Sequence, residues 1–398
     1  MQMSTPAVVF GPPHGNPSTA RTAAVVCAGF CAFLTLFAPQ PLLPLLAVQF
    51  HASAARVSWV VTASTVAVAL AGPLAGAIGD RLGRRRVIVP AAFLLALPTA
   101  LAATSQSLGQ LIFWRFWQGV LTPGIFVITI AYVNEEWESG GGAAVASYVT
   151  GTVVGGFCGR MLAGVVAAHA SWRWSFLALG ALNALGAVAI WAWLPPGRRF
   201  VRARRGSSTL RPMLRHLRNP RLVATYAVAF CVMFTLLATF TYINFYLAAP
   251  PFRLSTQALA LLFVVYLVGA VITPVAGRAI DSLGHRAALA MAFSGGVAGI
   301  VLTLAHRVPV VMLGLALCCT GVFIANSAGA SYVGKVAREA RAAAVGLYVT
   351  FYYTGGSFGS AVPGSFWSRG GWPACVVLIA AVQVLTIVLA LRFWNAAE

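Results

Sequence analysis

The chain has 398 residues, of which 60% are hydrophobic and only 9% charged, with a mean hydropathy of +0.85. That is too apolar for a water-facing globular surface, so lipid must cover most of the protein. The formal net charge of +20 invites a nucleic-acid reading, but the charge is sorted by loop and forms no basic face, which argues against that class of partner.

Residues 1–21 are rich in Pro, Gly and Ser, lack the pattern of a signal peptide, and read as a disordered cytoplasmic tail. Apolar runs follow that are long enough for a hydrocarbon core about 30 Å thick. They predict membrane helices near 22–48, 56–78, 87–104, 108–133, 142–168, 174–195, 221–248, 256–279, 287–305, 308–333, 342–367 and 371–393. No run alternates apolar and polar residues as a lipid-facing barrel strand would. Residues 22–195 thus form a first six-helix bundle and 221–393 a second. Between them, 196–220 is a polar, arginine-rich linker, and 394–398 is a second cytoplasmic tail.

One set of loops carries Arg21, Arg81, Arg84, Arg85, Arg86, the run from Arg198 to Arg221, Arg278, Arg286, Lys335, Arg338, Arg341 and Arg392. The alternate set carries Arg56, Arg173, Arg253, Arg307 and Arg369. Positive charge accumulates on the cytoplasmic side, so both termini and the linker are expected there.

The two bundles repeat one design. Ala144, Val145, Tyr148, Val149, Thr150, Gly155, Gly156, Gly159 and Gly164 return as Ala344, Val345, Tyr348, Val349, Thr350, Gly355, Gly356, Gly359 and Gly364, and Trp172 is answered by Trp372. Pro73, Ala75, Gly76, Asp80, Leu82, Gly83 and Arg85 return as Pro274, Ala276, Gly277, Asp281, Leu283, Gly284 and Arg286. Six spans per copy put the halves in the membrane in the same orientation, related by an axis along the membrane normal.

The loop after the second span reads Gly76-Ala-Ile-Gly-Asp80-Arg81-Leu-Gly83-Arg84-Arg85-Arg86. Its glycines let two helix ends approach, and one acid among cations is placed to cap a helix or bind an arginine. This loop, with the span count, the repeat and the central linker, resembles the major facilitator superfamily. The resemblance implies an all-α membrane protein of 12 transmembrane helices in two pseudo-symmetric six-helix bundles, working by alternating access. It also implies that Asp80 holds the cytoplasmic end of the eleventh span when the protein faces outward, and that Asp281 does so at the fifth. Gly76, Arg81, Gly83, Arg84, Gly284 and Arg286 complete the two latch loops. The second copy has Ser282 where the family pattern prefers a cation.

Arg115-Phe-Trp-Gln118-Gly119 in the fourth span resembles a second family signature, found in proton-coupled members. A charge in a span costs roughly 3 kcal/mol or more, so Arg115 is either satisfied by protein or faces a water-filled cavity. Arg160 lies in the stretch Gly151 to Gly164, similar to the antiporter motif of family exporters but without its proline. Gly151, Gly155, Gly156 and Gly159, with Gly355, Gly356 and Gly359, suit either close helix packing or gating. Arg115 and Arg160 fall at similar depth on adjacent helices. The seven acids, Asp80, Glu135, Glu136, Glu138, Asp281, Glu339 and Glu398, all fall in loops, tails or span ends. Two buried cations without a counter-ion suggest an anionic substrate, unless backbone carbonyls and amide or phenol groups satisfy both.

The second half places Ser360 opposite Arg160 in the repeat and offers Tyr242, Asn244, Tyr246, Asn326, Tyr348, Tyr352 and Tyr353 as an aromatic and amide lining. The first span offers Thr35 and Gln40 but no acid, which leaves Glu135, Glu136 and Arg115 as candidates for proton coupling. The chain is similar to inner-membrane permeases of the drug and sugar efflux kind. That likeness implies a monomer exporting a small organic compound across a bacterial inner membrane in exchange for protons. Uptake of an organic anion, by proton symport or facilitated diffusion, is the alternative. A membrane-embedded enzyme is the remote one: His14, His51, His169, His216, His285 and His306 lie in tails, loops or span ends without ligand spacing, and the seven cysteines show no metal or disulfide pattern, so no cofactor or metal is expected.

Overall fold

The structure, a computed structural model, describes residues 17–137, 141–197, 210–337 and 339–394. Most of the two expected tails and of the linker, with His14, Glu138, Arg338 and Glu398, lies outside the described residues. Within them the chain is helical with no strands. The first half comprises α1 (Pro17–Leu36), α2 (Leu43–Gln49), α3 (Ala54–Val57), α4 (Trp59–Leu82), α5 (Arg84–Leu101), α6 (Leu108–Glu136), α7 (Gly141–His169) and α8 (Trp172–Trp193). The second comprises α9 (Leu210–His216), α10 (Pro220–Ala248), α11 (Thr256–Leu261), α12 (Val265–Leu302), α13 (Val308–Val336), α14 (Arg341–Ala361) and α15 (Pro363–Phe393). Among the described residues, ten helical stretches are long and apolar enough to cross a membrane. The eighth and eleventh of the twelve spans are the shorter apolar helix Thr256–Val268, continued by α12, and α14.

The turn between the eleventh and twelfth spans falls at Gly370 and Gly371, inside α15, where Gly371 has φ +59°. The end of the expected linker is the short helix α9, whose Met213 packs on the core around Leu222 and Tyr226. Its His216 ring lies 3.3 Å from the Ala340 carbonyl oxygen.

Backbone geometry repeats along with the sequence. Gly83 (φ 95°, ψ 145°) ends α4, and Gly284 (φ 81°, ψ 158°) breaks α12 between the eighth and ninth spans. Only glycine takes that conformation without strain, which is why both repeats have glycine there. The Tyr148 hydroxyl donates to the Phe126 carbonyl oxygen at 3.4 Å, and the Tyr348 hydroxyl donates to that of Asn326 at 3.2 Å, the same bond 200 residues on.

The glycine stripes are packing surfaces. A Cβ on Gly151, Gly155 or Gly159 would collide with the carbonyl oxygens of Val26, Phe30 and Leu34, so α7 lies backbone to backbone on α1. Gly355 and Gly359 do the same against Phe230 and Phe234 of α10. Gly156 and Gly356 point elsewhere, toward Arg160 and Met233. Dispersion at this close approach drives helix association in lipid, where no hydrophobic force separates helix from solvent. Gly159→Val should therefore cost about 3 kcal/mol or more by overpacking. Loss of the monodisperse species on size exclusion is the expected result, whereas Gly142→Val, at an open position, should leave the protein intact.

Two helices are interrupted. α1 stops at Leu36 and resumes through a 3-10 turn at Gln40–Leu42 into α2, because Pro39, Pro41 and Pro44 lack the N–H that a continuous helix needs. The eighth span carries a 3-10 turn at Leu262–Val264 between α11 and α12. The halves meet where α4 packs on α14, α7 on α11 and α12, and α10 on α2.

Candidate functional site

Arg115 is fully buried and bound entirely by its own half. Its Nε donates to the Val60 carbonyl at 3.0 Å, its Nη1 to the Thr35 carbonyl at 2.8 Å and to Gln118 Oε1, and its Nη2 to Ser64 Oγ at 3.0 Å and to the Leu36 carbonyl. Thr35 and Leu36 close α1, whose last carbonyls have no helical partner, so the guanidinium caps that end and ties it to α4 and α6. Gln118 passes the tie onward through Nε2 to the Pro98 carbonyl, 3.1 Å away. All five donors are spent, and Arg115 has no capacity left for an anion.

Arg160 is bound differently. Its Nε donates to Gln40 Oε1 at 2.9 Å and its Nη1 to the Gly156 carbonyl at 2.7 Å, while its guanidinium carbon sits 5.2 Å from the Phe37 ring, 4.7 Å from Phe263 and 4.5 Å from Tyr266. Phe37, Gln40 and Gly156 belong to the first half and Phe263 and Tyr266 to the second. The two arginines thus face different surroundings, and the expected pair of free cations resolves into one structural and one interfacial group.

A run of hydroxyls joins the halves on the Arg160 side. Ser58 Oγ lies 3.0 Å from the Tyr242 hydroxyl, which donates to the Ser360 carbonyl at 3.0 Å. Thr62 Oγ1 and Ser360 Oγ are 2.8 Å apart, Ser357 Oγ donates to Thr65 Oγ1 at 3.1 Å, and Gln40 Nε2 donates to Thr241 Oγ1 at 3.4 Å. All of these side chains are buried. Ser58, Thr62 and Thr65 recur at helical spacing along one face from the start of α4, a signal that was available in the sequence but is hidden there by the ordinary frequency of small polar residues in spans.

The expected cavity residues divide. Tyr242 belongs to the hydroxyl run, and the buried Asn244 donates to the Phe240 carbonyl at 2.6 Å. Tyr246 stacks on Trp372 with ring centroids 5.9 Å apart. Thr35 is buried with an unpartnered hydroxyl. Tyr348 donates to Asn326 Oδ1 at 3.1 Å and stacks on Tyr352, Tyr352 meets Tyr353 edge-on, and Tyr353 lies 5.6 Å from Phe126, which meets Phe33 at 5.9 Å. These rings form an aromatic wall that crosses from the second half to the first.

At the opposite end the loop after α4 holds its charge locally. Asp80, with a side chain 49% exposed, pairs with Arg84 at 2.6 Å on its own loop. Arg84 Nε also donates to both carboxylate oxygens of Glu135, at 3.0 and 3.1 Å. Glu136 faces Arg21 at 3.9 Å, and Arg21 also lies 4.0 Å from the Trp137 ring centroid. Glu135 and Glu136 are therefore some 20 residues along α6 from Arg115, about 30 Å, and share no site with it. Asp281 is exposed. The neighbouring His285 Nε2 lies 3.2 Å from Ser331 Oγ, and burial together with Lys335 pushes the imidazole pKa down. Arg81, Arg84, Arg85 and Arg86 line a cavity of about 650 Å³ with Trp191, and Arg85 Nη2 donates to the Trp191 carbonyl at 2.8 Å, capping the last turn of α8.

The family model for the Major Facilitator Superfamily matches residues 25–359 and again 251–397. The chain belongs to that superfamily. It is 30% identical over 384 residues to the inner membrane transport protein YnfM of Escherichia coli (strain K12), with 95% of this chain and 92% of that protein covered. Its identity to the MFS-type transporter YybF of Bacillus subtilis (strain 168) is 28%, covering 94% of this chain and 91% of YybF. Among solved structures it superposes on a point mutant of the nucleoside transporter NupG with a TM-score of 0.76 at 16% identity, covering 94% of this chain and 100% of the other. A bacterial homologue of the human lysosomal transporter Spinster gives 0.74 at 15% identity, covering 96% and 97%. The protein is a multi-pass membrane transporter of a small molecule, and an enzymatic role is set aside.

Proposed function

We propose that this transporter works by alternating access and exports a small organic compound across a bacterial inner membrane in exchange for protons, as a monomer with both termini cytoplasmic. Residues 22–195 and 221–393 are the two bundles that rock, joined by 196–220. The observation that carries this reading is the contrast between the two ends. At one, buried hydroxyls bridge the halves. At the other, Asp80 is half exposed and spends its charge on Arg84, and a Cβ on Gly76 or Gly277 would meet nothing.

One closed end and one open end is what a rocking two-bundle carrier presents in each of its states. The arginine-rich open end is the cytoplasmic one by charge, so the arrangement is inward-facing. Each neutral hydroxyl bond contributes only about 0.5–1.5 kcal/mol net, enough in sum to hold the closure and small enough to exchange for water during a cycle. Arg84 is shared between Asp80 and Glu135, so the charge on Glu135 governs how much of Arg84 is left to Asp80. Asp80 can latch the eleventh helix only by giving up Arg84, and Glu135 is the acid beside it that then holds that cation.

The reading is tested in liposomes holding a pH-sensitive dye, with organic acids, sugars and cationic drugs added under an imposed proton gradient. Substrate-dependent proton movement that falls at least about tenfold in Glu135→Gln is expected. Substrate flux without proton movement would replace the exchanger with a facilitator. Proton and substrate moving in the same direction would favour the uptake of an organic anion.

A further inference from the structure

We infer that Arg160 forms the charge-binding part of the substrate site and takes a single carboxylate carried on an apolar body, an inference that rests on the transporter reading above. A guanidinium has five N–H donors, and among the described residues Arg160 uses two of them, on Gln40 and Gly156. The residue is only 2% exposed, so its charge is removed from bulk water. All seven acids of the sequence stand in loops, tails or helix ends, and no ion pair to Arg160 exists among the described residues. A buried cation with open donors and no protein anion calls for an anion from elsewhere.

Three further observations point to the same spot. The hydroxyl of Tyr266, a residue only 7% exposed and packed against the guanidinium, has no hydrogen-bond partner. It is a second donor beside the first, and a carboxylate has two oxygens to receive them. Phe37 lies in the break of the first span and Phe263 in the 3-10 turn of the eighth, so Arg160 sits where irregular backbone from both halves converges. At membrane depth such backbone is tolerated where protein buries it or where it lines a site, and interrupted helices mark substrate sites in carriers of this type. Finally, Gln40 holds Arg160 through Oε1 and Thr241 of the second half through Nε2, so a ligand that neutralises Arg160 acts on both bundles at once.

The cage also sets the ligand's class. One cation matches one negative charge; a phosphate dianion or a dicarboxylate would leave charge uncompensated among the rings of Phe37, Phe263 and Tyr266. Apolar rings adjoin the cage to receive such a body: Phe33, one turn back from Phe37 on α1, packs on Phe126, and Phe126 packs on Tyr353.

The test is thermal unfolding of the full chain in detergent with benzoate, phenylacetate and octanoate against benzamide, benzylammonium and succinate. The monocarboxylates should raise the midpoint saturably and the other three should not. Arg160→Gln should abolish the preference for benzoate over benzamide. Arg160→Lys should retain part of it, and Tyr266→Phe should weaken benzoate binding roughly tenfold while keeping the ring. If Arg160→Gln does not fold, the other two variants carry the test. Equal shifts with benzoate and benzamide, no shift with any monocarboxylate, or an undiminished preference in both Arg160→Lys and Tyr266→Phe overturns the site. Transport of neutral or cationic probes with no carboxylate binding removes this site and leaves the carrier standing. Carboxylate binding with no flux of any probe removes the carrier and leaves the site.

Discussion

Gly364→Trp should abolish transport while leaving the protein folded, because it wedges open the end that the hydroxyl run closes. A Cβ at Gly364 would already stand 2.6 Å from the Ala55 Cβ and 2.8 Å from the Tyr242 hydroxyl, both across the interface or at it. An indole there forces the halves apart instead of repacking a core, so the strain falls on one state of the cycle. Overpacking of about 3 kcal/mol confined to that state lowers its population roughly a hundredfold. The population is read by the reactivity of Ser360→Cys, in a background lacking the seven native cysteines, toward a membrane-impermeant maleimide added from outside. Ser360 is fully buried, so the thiol should be protected without the wedge and modified with it. Transport at the unmodified rate with the thiol still protected would show that this end does not need to close.

Much of the fold was legible because membrane helices announce themselves by length and the repeat by identity. The pairs Gly83/Gly284 and Tyr148/Tyr348 were visible as a repeat and returned as matching dihedral angles and matching hydrogen bonds. The site was less legible, for a physical reason. Sequence shows which residues are charged but not how many of their donors are already filled. Arg115 and Arg160 looked alike at that level, two cations at one depth with no acid nearby. What separates them is the end of α1: its unpaired carbonyls absorb Arg115, while Arg160, near the break that follows, meets rings and one amide. The hydroxyl run was hidden because serines and threonines in spans usually bond their own helix, as Ser64 does to the Val61 carbonyl at 2.9 Å, and only the docking of α4 on α14 turns some of them across the interface.

The same difference makes Arg115→Ala a test of folding and not of coupling. Removing the guanidinium leaves the carbonyls of Thr35, Leu36 and Val60 without that donor in a site that water does not reach, at about 1–3 kcal/mol for each unsatisfied group. It also unties α1 from α4 and α6, the contact that lets the first span break at Phe37 without fraying. A loss of several kcal/mol exceeds what one bundle can absorb, so the variant should appear as aggregate on size exclusion with no measurable melting transition. Arg115→Lys should rescue little, because three donors on one nitrogen cannot span three carbonyls, a hydroxyl and an amide. A second-site change that supplies polar partners locally, Ser64→Gln beside Arg115→Lys, should recover part of the folded yield. Full folding of Arg115→Ala with selective loss of proton movement would instead put Arg115 in the coupling machinery and overturn its reading as a cap.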